Sequence, residues 1–189
     1  RDWSVTGVQT CALPILLCRE GISVTACDRR SRADLGELAG ELEGAGAALQ
    51  LGDGYLENLT QDVIFRTPGL RPDVPQLREA VARGSVLTSE MEEFFHVCPC
   101  PIIAVTGSDG KTTTTTIIAE LLRAAGKTVH VGGNISHPLL CEAGGKGRTG
   151  WAVLGLSSFQ LMTVDVRPHL AGPAKLAPNH LHVHRDMDA

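Results

Sequence analysis

Several features that would narrow the class of this 189-residue chain at once are missing from it. Seventeen Lys and Arg face 21 Asp and Glu, for a net charge of −4. With no basic excess and no basic cluster, the chain has no electrostatic footprint for a nucleic-acid backbone or an anionic membrane surface. No apolar run approaches the length needed to span a bilayer. No charged-then-apolar leader resembles a signal peptide, so a cytoplasmic protein is expected. The six cysteines, at 11, 18, 27, 98, 100 and 141, form no CxxC pair. Reduced thiols are expected of them rather than a disulfide frame. Internal repeats are absent, and the only low-complexity tract is the threonine block at 112–116. What remains is 43% hydrophobic and 20% charged, a globular composition.

Val5–Ile15, VTGVQTCALPI, resembles the translation of synthetic adapter DNA. Residues 1–15 are therefore set aside as non-native. Leu16, Leu17 and Arg19 then read as the last turn of a helix, with Gly21 at its C-cap. Ile22–Cys27 reads as a strand ending at Asp28, and on this reading the strand preceding that helix is missing. Leu35, Leu38, Ala39 and Leu42 recur at spacings of three and four, which predicts a helix over 32–45. Short strands are expected at 47–51, at 63–65 and from Val86, with a helix at 77–82. Asp73, Glu90, Glu92 and Glu93 read as solvated surface. Helices alternating with short apolar strands predict a parallel α/β sheet. Cys98-Pro-Cys-Pro101 is the candidate linker, since two prolines in three residues interrupt regular structure. Two domains follow, 16–97 and 98–189.

The second domain opens on a motif. Ile102–Val105 is a continuous apolar run, of the kind buried on both faces of a sheet. Gly107-Ser-Asp-Gly-Lys-Thr112 follows, and then Ile117, Ile118, Leu121 and Leu122 predict the buried face of a helix. Strand, glycine turn, helix and next strand (128–131) make a phosphate-binding βαβ unit. Glycines let successive backbone N–H groups converge on one anion, and the helix start adds its positive end. Lys111 would reach the β and γ phosphates, and Thr112 would offer its hydroxyl to Mg²⁺. The spacing is shorter than G-x-x-x-x-G-K-[ST], because Val105 stands where the first glycine would be.

Gly107–Thr113, Gly132-Gly-Asn-Ile135 and Leu156-Ser-Ser-Phe-Gln-Leu161 together resemble the Mur ligases. Asp28–Arg32, Thr67–Leu70 and Ser89–Phe95 fit that family's N-terminal domain, and Leu176–Asp188 fits its central one. The resemblance implies a Rossmann-like domain that binds a uridine diphosphate, followed by a P-loop domain that binds ATP, three-layered α/β/α with a mostly parallel sheet. It implies ATP and Mg²⁺ as cofactors, and UDP-N-acetylmuramoyl-L-alanine and D-glutamate as substrates joined through an acyl phosphate in a monomeric enzyme. Gly107, Ser108, Asp109, Gly110, Lys111, Thr112 and Thr113 would bind nucleotide. Lys111 and His180 would be catalytic, with Thr112 and His180 on the metal. Asp28, Arg30, Thr67, Asn134, Ser157 and Gln160 would hold the UDP-sugar.

The chain also departs from the family pattern. Gly155 stands where a metal-binding glutamate is expected, and Gly172-Pro173 where a plain apolar strand is expected. Lys175 replaces an asparagine and His182 an aspartate. The family's C-terminal, amino-acid-binding domain would lie beyond Ala189, and a glycine loop that cradles the UDP is not found, so an inactive fragment is expected. His180, His182 and His184 at period two also suit Zn²⁺ on one strand face. A nucleotide or UDP-sugar binder without turnover, and an unrelated P-loop kinase, are the alternatives.

Overall fold

The computed structural model describes residues 2–6, 12–133, 140, 149–162 and 164–178. The chain divides into two compact units, Arg1–Glu93 and Phe94–Ala189. The division falls inside a helix that the sequence pattern did not reveal, rather than at Cys98–Pro101.

The N-terminal unit runs β1 (Asp2–Thr6), α1 (Ala12–Arg19), β2 (Ser23–Asp28), α2 (Arg32–Leu35), α3 (Glu37–Gly44), β3 (Ala48–Leu51), β4 (Val63–Phe65), α4 (Pro75–Ala82) and β5 (Val86–Thr88). Its five strands lie in the order β3-β2-β1-β4-β5, and every pairing is parallel. That is the order of a Rossmann-type half, with the crossover point between β1 and β4. The strand expected to be missing is therefore present, and it is the central one. Asp2–Thr6 pairs with β2 on one side and β4 on the other. Ser4 and Thr6 are fully buried and satisfied: Ser4 Oγ lies 3.2 Å from Cys27 Sγ, and Thr6 Oγ1 donates to Phe65 O at 3.1 Å. Setting residues 1–15 aside as adapter-like is what removes this strand from the sequence reading. The expected absence of a glycine loop after this strand concerns residues 7–11, which lie outside the described residues.

The predicted helix at 32–45 is two helices. Gly36, at φ 57°, breaks it, since that backbone conformation favours glycine. Ser31 starts α2 with a reciprocal cap: its hydroxyl accepts from the Asp34 amide while the Asp34 carboxylate accepts from the Ser31 amide. The Ser31 hydroxyl donating to the Asp34 carboxylate at 2.6 Å, with the Ser31 amide beside it, holds the Asp34 carboxyl below its usual pKa. A core of Cys27, Leu56, Leu59, Ile64, Leu77 and Ala80 packs with Tyr55, Leu70, Val74 and Leu87.

Helix α5 (Glu90–Val97) starts at Ser89, whose hydroxyl accepts from the Glu92 amide. Glu90, Glu92 and Glu93 are half-buried rather than fully solvated, and Thr88 Oγ1 donates to Glu93 at 2.8 Å and Glu92 at 3.3 Å. Asp73 is exposed, as expected, and bonds to Arg71 lower its pKa to about 2.

The C-terminal unit continues with β6 (Ile102–Thr106), α6 (Lys111–Ala124), β7 (Val129–Gly133), β8 (Trp151–Gly155), α7 (Ser158–Leu161) and β9 (Leu170–Pro173). Its four strands lie in the order β7-β8-β6-β9, again all parallel. All four carboxyl ends therefore reach the same edge of the sheet. Pro173 costs β9 no bond to β6, because the next residue makes it: Ala174 N–H donates to Thr106 O at 2.8 Å.

Because β1 separates β2 from β4, the N-terminal unit depends on it. Deleting residues 1–6 should abolish the cooperative urea transition of that unit, read from amide exchange in β2 and β4. Amides of β2 that stay protected would contradict the central place of β1.

Candidate functional site

β6 sets the direction of the candidate phosphate loop. Ile102, Ile103, Ala104 and Val105 are all buried. Each large aliphatic side chain among them contributes about 1.5–3 kcal/mol when fully buried. Thr106 ends the strand with its hydroxyl donating to Leu156 O at 3.0 Å, which ties the loop's origin to the residue following β8. Gly107 (φ 139°) and Gly110 (φ 81°) then turn the chain through conformations that side chains disfavour.

Between those glycines the loop is pinned from one side by residues 174–177. Ser108 N–H donates to Lys175 O at 2.6 Å. The Ser108 hydroxyl donates to Ala177 O at 2.5 Å and accepts from Ala177 N–H at 2.9 Å. Asp109 forms an antiparallel bridge with Lys175. Lys175 Nζ pairs with the Asp109 carboxylate at 3.2 Å. A Cβ on Gly107 would lie 2.8 Å from Lys175 O, so only glycine permits this approach.

The other side of the loop is open. Gly110 caps α6 without a side-chain bond, and the first helical bond runs from Thr114 N–H to Gly110 O at 2.9 Å. The amides of Lys111, Thr112 and Thr113 thus stand outside the helical ladder at its positive end. Lys111 Nζ folds over the loop, donating to Gly107 O at 2.6 Å and Ser108 O at 3.4 Å. Thr112 and Thr113 are exposed, whereas Thr115 is fully buried. Thr116 returns its hydroxyl to Thr112 O at 2.9 Å. The helix buries Thr115 and Ala119, with Ile118 and Leu122 half-buried. Ile117 and Leu121, predicted for that face, are 54% and 65% exposed. Each adjacent apolar pair can send only one member squarely toward a sheet.

The ends of the other strands gather beside this loop through the parallel register. Val105 pairs with Gly155, and Gly155 with Gly133. A Cβ on Gly133 would collide with Gly155 O, so the two backbones pack directly. Ser157 and Gln160 engage each other as the cap of α7. The Ser157 amide and hydroxyl donate to Gln160 Oε1 at 2.8 and 3.0 Å, and the Gln160 amide donates to Ser157 Oγ at 3.3 Å. Asn134, His180, His182 and His184 lie outside the described residues. Among the described residues no cluster of three His, Cys, Asp or Glu could hold a metal ion. An apolar hollow of about 170 Å³ beside β9, lined in part by Leu156, Val164 and Pro168, lacks the donors an anion needs.

In the N-terminal unit the predicted residues again sit at strand ends. Asp28 closes β2 and is buried. Its carboxylate accepts from Arg30 N–H (2.8 Å), Nε (3.0 Å) and Nη2 (2.9 Å). That bonding raises the Arg30 pKa. Thr67 follows β4, and its amide donates to Thr6 Oγ1 at 3.4 Å, beside the crossover point. Arg66, which the sequence reading passed over, is 2% exposed and shapes the Thr67–Leu70 turn. Its Nη1 donates to Thr67 O, Pro68 O and Leu70 O at 3.1, 3.2 and 2.6 Å. Burial lowers its pKa, and Glu92 opposes that shift. A lone arginine before Thr-Pro-Gly was the available signal.

Residues 105–189 match the family model described as the Mur ligase middle domain. The whole chain is 44% identical over 191 residues to the UDP-N-acetylmuramoylalanine–D-glutamate ligase of Clostridium novyi. The chain belongs to the Mur ligase family. It is 46% identical over 183 residues to the ligase of the same name from Symbiobacterium thermophilum, covering 96% of this chain. It spans 42% and 40% of the lengths of those two relatives. Solved Mur ligases share the fold. UDP-N-acetylmuramate–alanine ligase from Thermotoga maritima superposes with a TM-score of 0.52 at 19% identity, over 98% of this chain and 44% of that one. A murein peptide ligase from Psychrobacter arcticus gives 0.53 at 21% identity, over 99% and 45%. No helix among the described residues is long and apolar enough to cross a membrane.

The Gly155 end of β8 offers backbone where the resemblance led to the expectation of a carboxylate. Of the predicted metal ligands only the Thr112 hydroxyl lies among the described residues. The glycine turn itself is testable. Gly107→Ala should destabilise the C-terminal unit by about 1–3 kcal/mol through its φ and its contact with Lys175. Gly40→Ala, inside α3 with nothing near its Cβ position, should stabilise by about 0.5–1 kcal/mol. Urea titration reads both, and equal effects would contradict the pinned turn.

Proposed function

We propose that this chain is the nucleotide-handling part of a ligase that joins D-glutamate to UDP-N-acetylmuramoyl-L-alanine in peptidoglycan synthesis. The observation that carries the reading is the open start of α6, where uncapped amides of Lys111–Thr113 adjoin the Lys111 ammonium. The names of the relatives supply the substrates. In the complete reaction the substrate carboxylate takes the γ-phosphoryl group of ATP with release of ADP, and the amine of D-glutamate then displaces inorganic phosphate to form the amide.

The residues present suit the phosphate part of that chemistry. Carboxylate and ATP are both anions, so transfer between them needs positive groups fixed in advance. Gly107 and Gly110 shape the loop, and the amides of Lys111, Thr112 and Thr113 receive phosphate oxygens. Lys111 exchanges its carbonyl partners for the β and γ phosphates. Mg²⁺ fits here as a companion of the nucleotide, on the Thr112 hydroxyl and phosphate oxygens, where it would offset phosphate charge. His180 is the second proposed metal ligand. Ser108 and Asp109 serve the loop differently from the first expectation: their side chains face residues 175–177, so their proposed contact with nucleotide is through the main chain.

Asp28, Arg30 and Thr67 are proposed to hold the uridine diphosphate at the carboxyl ends of β2 and β4. Asn134, Ser157 and Gln160 are proposed to meet the sugar–peptide end. The domain reading continues as a UDP-binding domain followed by an ATP-binding domain, divided within α5 between residues 93 and 94. The enzyme is proposed to be monomeric and cytoplasmic, with small-molecule partners. The glycine end of β8 favours a second reading, nucleotide binding without turnover, because a carboxylate is absent there.

Calorimetric titration with MgATP tests the first claim. The unsubstituted chain should bind saturably, and Lys111→Ala should weaken binding roughly 10- to 100-fold, the loss of a charge-assisted hydrogen bond. Unchanged affinity in Lys111→Ala would contradict the site. Gly155→Glu should tighten Mg²⁺-dependent ATP binding without producing phosphate release on addition of D-glutamate and the UDP-sugar. Release from the unsubstituted chain under those conditions would exclude the second reading.

A further inference from the structure

An acidic side chain in the middle of a phosphate loop is a problem the fold has to answer. Asp109 lies between Ser108 and Gly110, and its carboxylate would repel the polyphosphate that the neighbouring amides attract. Lys111 is directed elsewhere, onto the Gly107 and Ser108 carbonyls. The cation that meets Asp109 comes from the segment following β9. Lys175 Nζ stands 3.2 Å from Asp109 Oδ2, and the two side chains are 66% and 67% exposed.

We propose that Lys175 is a positioning residue of the phosphate loop, whose ammonium neutralises Asp109 so that the loop still accepts an anion. This rests on the nucleotide reading above and adds to it a residue outside the glycine–lysine motif. Main-chain contacts hold Lys175 in place. The Asp109–Lys175 bridge, the Ser108 amide on Lys175 O and the close approach of Gly107 all use its backbone. Its side chain can therefore serve charge rather than fold. An ion pair this exposed contributes little to stability, so its value lies in the field at the loop. That field acts within a Debye length and weakens with salt.

The test is a set of MgATP titrations on the 189-residue chain, with Lys175→Met, Lys175→Arg, Asp109→Asn and the double variant Asp109→Asn/Lys175→Met. Lys175→Met should bind about three- to tenfold more weakly at low salt, with the loss shrinking near 0.5 M salt. Lys175→Arg should bind as the unsubstituted chain does. The double variant should recover to within about twofold, because without the carboxylate no compensation is needed. Damage to the fold by Lys175→Met would not be repaired by Asp109→Asn, so a double variant as weak as Lys175→Met overturns the proposal. So does Lys175→Met binding at full strength. If the unsubstituted chain shows no saturable binding, the nucleotide site itself falls and this proposal with it. Normal binding with a flat Lys175 series removes the proposal alone.

Discussion

The backbone pairing that closes on Ser108 from residues 175–177 is the constraint on which the candidate site depends. β6 leaves the sheet buried between β8 and β9, and Thr106 is tied to Leu156 at its exit. The chain then has one open side. Ser108 and Asp109 face the strap that follows β9, so the amides at the start of α6 are left to face outward. Without that strap, two glycines and a lysine would be a flexible polar turn. With it, the turn is held by named hydrogen bonds, so the proposed anion would require little further ordering on binding.

The two units reach their sites by the same rule. In each, all described strand pairs are parallel, so every strand delivers its carboxyl end to one edge. Asp28 and Thr67 arrive together at one such edge, and Gly107, Gly133, Ser157 and Lys175 at the other. Residues distant in sequence become neighbours through register alone. Family membership and geometry then meet at the same residues: the Mur ligase middle-domain match begins at residue 105, one residue before β6 ends.

How much of this could be read from the chain depended on whether a signal was local. β6, the glycine turn and α6 were legible because an apolar run, two glycines and a helix period sit side by side. β1 was not, because the adapter-like stretch from Val5 took residues 1–15 out of the reading, although Ser4 and Thr6 are buried there with partners on β2 and β4. The Gly36 break was hidden because the leucine spacing runs through it. The pairing of Lys175 with Asp109 spans 66 residues and leaves no local trace. Lys175 was visible as a departure from the family pattern, but its place on the loop was not. The Ser157–Gln160 cap carried a local signal, S-x-x-Q, that a family reading assigned to substrate alone.

The central claim is that the amides opening α6 bind phosphate. It is tested most directly by following backbone ¹H–¹⁵N resonances of the chain during titration with MgATP. The expected result is that Gly110, Lys111, Thr112 and Thr113 show the largest saturable shifts, with the Ser108 amide, bonded to Lys175 O, moving less. Saturable shifts confined to residues away from this loop, or none at any concentration, would contradict it.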